Sequence, residues 1–356
     1  MYLTIMRHPY LCFGKDEINF IEQKVLDSQL FVTTLDHLGE EQYKIDTYFS
    51  NSNIDFYAIL DRNVFTDIIK LADGEVHNNN SFRSIAVVMA FFQMSGIMLE
   101  PNLATYEFSD NEENLDKLLR EIALFRQMDS LKTQVYIDFA MGKIDYIPLE
   151  KLPSVNIDDL PKTNVFKKPL KNFEFNFVIL KKMAILKFQG MKEYEIMHKI
   201  LDWSYHEFLF SGPAIAFINM YLSPNRLSKM VKSLDHTGLR NAAWDLTILH
   251  TWFQFIKKET TSNKRWILYT QDKAIKKIAK FLYAPSGCSE KEFQNKQRQM
   301  FIDLWGKNNK KGTELYDKYN NYLKNPRNFQ REYFTNPKNS QVEEKINEEF
   351  SSLFQS

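Results

Sequence analysis

Two stretches of the chain switch from a strand-like to a helix-like hydrophobic pattern within a few residues. Residues 55–60, DFYAIL, are a short continuous apolar run rich in β-formers, and the run stops at Asp61-Arg62-Asn63. Beyond it Val64, Phe65, Ile68, Ile69 and Leu71 recur at three-to-four spacing as far as Asp73-Gly74. The pattern predicts a strand, a tight turn and an amphipathic helix. RWILYT at 265–270 repeats the arrangement, with the basic helical pattern DKAIKKIAKFL directly behind it. Between the two, SFRSIAVVMAFFQMSG at 81–96 is apolar nearly all round and predicts a central, buried helix. Its apolar core, 85–92, is broken by Gln93 and Ser95, well short of the roughly 18–20 residues that a membrane span needs.

The remaining segments read mainly as helix. Pro101 suits a first helical turn, which gives a two-turn helix over 101–108. Ser109 and Glu112 have the spacing of a capping box that starts a further, long helix. Residues 142–171, with Pro148, Pro153, Pro161 and Pro169, read as a connector. Helical patterns follow at 172–188, 191–210 and 224–235, the last opened by Ser223-Pro224, and then in LRNAAWDLTILHTWFQFIKKE. The tail after 284 is polar helix and loop, while residues 1–53 mix short apolar runs with polar breaks and give no clear assignment.

Composition narrows the class. With 44% hydrophobic and 14% aromatic residues and 11 glycines in 356, the chain is an ordered, helix-rich protein and not a disordered one. Cys12 and Cys288 are far apart and form no CxxC pair, which argues against a disulfide framework and a thiolate zinc site and for a reducing, cytoplasmic setting. The start, MYLTIMRHPYLCFGKDE, does not follow a secretory pattern, and no membrane partner is expected. Net charge is +1, but 257–311 carries 14 basic against 5 acidic side chains, whereas 100–121 carries 7 acidic against 2 basic. Each stretch is either a solvated helix face or part of an interaction surface.

Four acids stand in informative places. In an open α/β sheet, ligands gather outside the carboxyl ends of the strands, and Asp61 and Asp272 each follow a predicted strand at that point. Either could equally cap the helix behind it. Asp245 lies in NAAWDLTILHTWF among apolar neighbours, a costly place for a carboxylate unless it is paired, solvated or bound to a cation. Glu107 ends the short helix NLATYEF, where an Arg such as Arg62 or Arg240 could also satisfy it.

Together these positions resemble the PIN-domain nucleases. LDRNVF at 60–65 looks like the first motif of that family, YEF at 106–108 the second, NAAWD at 241–245 the third and YTQD at 269–272 the fourth. The order agrees at all four. The resemblance implies an α/β fold, a PIN-like three-layer domain with a mostly parallel sheet, assembled from 1–108 and 236–283. It also implies a helical insertion over 109–235, since 138 residues separate Glu107 from Asp245, and a basic helical extension over 284–356. Asp61, Glu107, Asp245 and Asp272 carry over as catalytic, metal-holding acids, with Glu100 the alternative to Glu107. Asn63, Asn241 and Thr270 carry over as supports.

Hard oxygen ligands select Mg²⁺ or Mn²⁺, and crowded carboxylates repel one another unless a cation neutralises them. The histidines make no i, i+4 pair, with His198 and His206 eight apart and His236 and His250 fourteen apart, so zinc is not expected. His250 is either a core or helix-face residue or a lining group near Asp245. The implied reaction is hydrolysis of a phosphodiester to a 5′-phosphate and a 3′-hydroxyl, on RNA by first choice, with DNA open. Lys273, Lys276 and Lys277 would track the nucleic-acid backbone or form a solvated face. PIN-like proteins of bacteria include toxins and phage-defence effectors, some with a protein inhibitor or partner. Two rival readings remain: a catalytically idle PIN-like scaffold that binds nucleic acid or protein, and a helical interaction protein whose four acids are scattered caps and ion-pair partners.

Overall fold

The computed structural model describes residues 2–4, 12–49, 53–73, 80–106, 115–154, 170–225, 231–284, 287–306, 309–327 and 337–354. The chain divides into two compact units, unit 1 comprising 1–168 with 254–272, and unit 2 comprising 169–253 with 273–356.

Unit 1 opens with a two-stranded antiparallel ribbon, β1 (Tyr2–Thr4) and β2 (Cys12–Gly14), followed by α1 (Lys15–Ser28). Next come β3 (Phe31–Val32), α2 (Ile45–Phe49), β4 (Asp55–Leu60), α3 (Arg62–Ala72), α4 (Asn80–Ser95) and β5 (Met98–Glu100). The unit is completed by α5 (Asn102–Tyr106), α6 (Leu115–Asp129), α7 (Thr133–Ala140) and β6 (Lys264–Tyr269). Four strands form a small, mostly parallel sheet in the order β3-β6-β4-β5. β4 runs parallel to both neighbours, in register from Asp55↔Lys264 to Leu60↔Tyr269 on one side, and β3 closes the sheet antiparallel to β6. The protein is therefore a mixed α/β chain in which helix predominates.

The predicted strands at 55–60 and 265–270 are β4 and β6, and the helix predicted at 81–96 is α4. α4 is buried on every side through 85–92 and packs against α1, α2, α3 and α7. Phe56, Ala58, Leu60, Ile267 and Tyr269 meet this helix in one hydrophobic core, since period-2 alternation puts these positions on one sheet face. Truncating a ring at its centre, as in Phe92→Ala, would cost about 3–5 kcal/mol. α3 buries Val64, Phe65, Ile68, Ile69, Leu71 and Ala72, the stripe its spacing predicts. The helix predicted over 101–108 is observed as α5, five residues long; 107–114, with the Ser109–Glu112 capping box, lies outside the described residues.

Unit 2 is helical: α8 (Lys171–Phe188), α9 (Glu193–His206), α10 (Gly212–Leu222), α11 (His236–Ile256, whose last three residues fall in unit 1), α12 (Lys273–Leu282), α13 (Glu290–Trp305), α14 (Asn309–Lys324) and α15 (Pro337–Ser352). α6 and α7 thus fall with the sheet, and most of α11 falls with the helical unit. The helix predicted over 224–235 is not observed at 231–235, and 226–230 lies outside the described residues. Between the helices predicted over 191–210 and 224–235 lies α10, which ends at Leu222. Ser211 caps it by accepting a hydrogen bond from the Ala214 amide at 3.3 Å, with Pro213 in the first turn. Every residue from Pro213 to Leu222 is buried, so no polar stripe marks it. Among the described residues no helix is long and apolar enough to cross a membrane.

Candidate functional site

Asp61 occupies the turn that ends β4. Its amide donates to the Tyr269 carbonyl at 3.0 Å, one step beyond the last paired residues of the β4–β6 ladder, and its carbonyl accepts from Phe65 as α3 begins. Backbone angles of φ −68° and ψ 146° place it at the N-cap position, where the Asn63 and Arg62 amides favour its charged form without a capping hydrogen bond of full geometry. The carboxylate also reaches the neighbouring strand. Thr270 Oγ1 donates to Asp61 Oδ2 at 2.7 Å, and the same oxygen accepts from the Asp272 amide at 3.0 Å.

One hydroxyl therefore ties the first and last acids of the predicted quartet together. In-register parallel pairing brings this about, because Leu60 faces Tyr269 and both chains leave the sheet at the same edge. Thr270 is fully buried and Asp61 is 4% exposed, while Asp272 is half-buried. Burial pushes the Asp61 carboxyl above the usual aspartate range; the Thr270 hydroxyl and the Asn63 amide oppose this, and the Asp272 carboxylate pushes it further up. A buried carboxylate facing a second carboxylate is the environment that a hard divalent cation neutralises. The donor set at this edge, carboxylate and hydroxyl oxygen, suits Mg²⁺ or Mn²⁺.

Neighbouring contacts hold the edge in place. Gln271 Nε2 donates to Asp67 Oδ2 at 3.0 Å, which ties the turn after β6 to α3. Arg62 stacks 5.3 Å from the Phe65 ring centroid. Its guanidinium donates to the Ala104 carbonyl on α5 at 3.1 Å and to both Glu121 oxygens on α6 at 3.1 and 2.9 Å. A bidentate pair of this kind fixes orientation as well as distance. Arg62, which the sequence offered as a partner for Glu107, pairs with Glu121, 59 residues away, while Glu107 lies outside the described residues. Nothing in local spacing signals that pairing.

The other predicted positions are distributed as follows. Glu107 lies outside the described residues. Glu100, its alternative, ends β5 opposite Ile59, and its Oε1 accepts from the Asn102 amide at 3.1 Å. Asn63 is exposed on the first turn of α3. Asp245 is half-buried on α11 in unit 2, four residues beyond the exposed Asn241. His250, on the same helix, has its Nδ1 3.4 Å from Ser211 Oγ and meets the Phe175 ring edge-on. Lys273 is exposed and Lys276 and Lys277 are half-buried on α12. Among the described residues, no group of three or more His, Cys, Asp or Glu side chains is close enough to hold a metal ion; of the predicted acids, the structure links the Asp61 carboxylate to the Asp272 backbone amide through Thr270 Oγ1. No protein-family model matches this chain, and no curated protein or solved structure matches it significantly.

Proposed function

We propose that the protein is a metal-dependent, PIN-like nuclease that hydrolyses phosphodiester bonds, with RNA as the first choice of substrate. The observation that carries this reading is the Thr270 hydroxyl shared between the Asp61 carboxylate and the Asp272 amide at the carboxyl edge of two parallel strands. It fits the resemblance of LDRNVF and YTQD to the first and last PIN motifs. Asp61 and Asp272 would hold Mg²⁺ or Mn²⁺, which when bound supplies Lewis acidity at the scissile phosphate. The resemblance adds Asp245 and Glu107 to the same task, and their membership is a matter for substitution.

The chain's own groups have distinct parts. The Thr270 hydroxyl fixes the Asp61 rotamer, and its bond to the Asp272 amide fixes the turn from which the second carboxylate projects. Amides at the start of α3 favour the charged form of Asp61, as a helix N-terminus does for any anion. Lys273, Lys276 and Lys277 supply positive charge for a phosphate backbone. The test is cleavage of mixed RNA and DNA substrates by the intact protein, with Mn²⁺ or with EDTA. Activity should require the metal and fall by at least about 100-fold in Asp61→Asn and in Asp272→Asn. Cleavage unchanged in EDTA, or in both variants, would overturn the proposal.

A further inference from the structure

Unit 2 holds a chain of hydrogen bonds between α9 and α14 in which each proton has one place. His198, Asp202 and His206 stand four residues apart on α9, which keeps them on one helix face. Opposite them are Lys318 and Tyr322 on α14 and Arg327 just beyond it. Lys318 Nζ lies 3.3 Å from His198 Nδ1 and donates to Asp202 Oδ2 at 2.7 Å. The Tyr322 hydroxyl donates to Asp202 Oδ1 at 2.6 Å and lies 3.4 Å from His206 Nε2, and Arg327 Nη2 lies 2.6 Å from His206 Nδ1. Lysine and arginine only donate. Nδ1 of both rings therefore accepts, which makes both histidines neutral with the proton on Nε2. For His206 that proton meets the Tyr322 oxygen, whose own proton goes to Asp202. Protonating either ring would turn an acceptor into a second donor facing a cation, so the bond is lost and like charges are left in contact.

The other charges nearby do not cancel this effect. Both Asp202 oxygens are engaged, and Glu314 on α14 accepts from the Tyr194 hydroxyl. Lys310, Lys311, Asp317 and Lys324 on α14, Glu195 and Lys199 on α9, and Glu207 after His206 are exposed. α10, which packs against α9, carries no charged residue. From α8, Lys187 pairs with Glu193 at 3.5 Å in the first turn of α9, while Lys181, Lys182 and Glu174 face α15 and Lys171 lies beside Glu174. Burial and the Lys318 charge hold His198 below the usual histidine range, and Asp202 and Glu314 oppose this without reversing it.

We infer that His198 and His206 form a proton-operated clasp, which ties α14 to α9 while both rings are neutral and loosens the carboxyl end of α14 when they take up protons. The Tyr205 ring stacked 3.9 Å from Tyr322 and the Tyr205 hydroxyl bond to the Asn325 carbonyl at 2.6 Å involve no histidine, so the loosening is local. Because the folded chain holds His198 below its unfolded value, its contribution to stability is whole above about 6.5 and is lost as pH falls through the folded value. The clasp stands whether or not the Asp61 edge binds metal.

The test uses the intact protein with ¹⁵N-labelled histidine. At about pH 7.5, long-range ¹H–¹⁵N spectra, assigned with His198→Asn and His206→Asn, should show both rings neutral and protonated on Nε2. A proton on Nδ1 of either ring, or a charged ring, overturns the clasp. Hydrogen exchange read by mass spectrometry supplies the conformational arm. Corrected for intrinsic rate, protection of α14 should fall about ten-fold between about pH 7.5 and about pH 5.5, with α4 in unit 1 unchanged. Asn keeps an acceptor near the place of Nδ1 but takes up no proton, so the fall should vanish in the double variant. No fall in the wild type, an equal fall in α4, or the same fall in the double variant overturns the clasp. A melting curve shows whether the double variant is folded, and if it is not, the wild-type tautomers and exchange decide.

Discussion

Asp61 in unit 1 and Asp202 in unit 2 are both carboxylates drawn partly out of water, and their surroundings move them in opposite directions. Asp202, on α9, is subject to burial that would raise it. Hydrogen bonds from Lys318 at 2.7 Å and Tyr322 at 2.6 Å outweigh this and hold it below the usual aspartate range. Asp61 has a hydroxyl and amides but also a second carboxylate, and it is held above that range. Asp202 has its counter-charge supplied by the chain, as structural ion pairs do. Asp61 is placed where an added cation would relieve it, and perturbation of that sign in a turn at the carboxyl edge of a sheet points to function.

The largest effect that could break this comparison is on catalysis. Asp61→Asn should abolish cleavage, whereas Asp202→Asn should leave it within about two-fold while lowering the melting temperature, because Lys318 and Tyr322 lose a charged partner. Equal loss of activity in both would mean that the sign of the shift carries no functional information. A smaller effect isolates the shared hydroxyl. Thr270→Val leaves the buried Asp61 carboxylate without its strongest donor and should cost about 1–3 kcal/mol of stability together with most of the activity. Thr270→Ser, which keeps the oxygen, should restore the activity. Chemical denaturation and single-turnover cleavage would check both.

The smallest effect is on pH dependence, and here the two acids have opposite signs. Asp61 binds its proton more tightly folded than unfolded, so in metal-free protein its contribution to stability rises as pH falls from its raised value toward the usual range near about 4. Asp202 is depressed, so its contribution is present above about 4 and is lost as pH falls through its lowered folded value. Difference melting curves should therefore show Asp61→Asn flattening the stability profile on the higher-pH side and Asp202→Asn on the lower. Profiles that coincide with the wild type would show that neither environment acts as described.

Part of this was legible in the sequence and part was not, for physical reasons. β4, β6, α3 and α12 announce themselves because an apolar run or a one-sided stripe is itself the signature of burial on one side. Thr270 was legible through the Thr-x-Asp spacing. α10 was not, because an apolar run of 11 residues does not separate a helix from a buried strand by its period, as the 16-residue run of α4 does; Ser211 followed by Gly212-Pro213 was the signal available. β3, two residues long, is too short to carry a period. The Arg62–Glu121 clamp and the links from His198, Asp202 and His206 to Lys318, Tyr322 and Arg327 depend on which helices meet. Local periodicity marks a face but does not name the face it packs against.

The central claim is that the edge bearing Asp61 and Asp272 holds a divalent cation, and calorimetric titration of Mn²⁺ into the intact protein tests it most directly. Wild-type protein should show saturable binding of Mn²⁺ and a rise in melting temperature at saturation. Asp61→Asn should melt, without metal, at the same temperature as the wild type or above it, since like-charge repulsion is gone, and should lose most of the affinity for Mn²⁺. Absence of binding by the wild type, or equal binding by both proteins, would contradict the metal site and return Asp61 to a residue that only shapes the turn between β4 and α3.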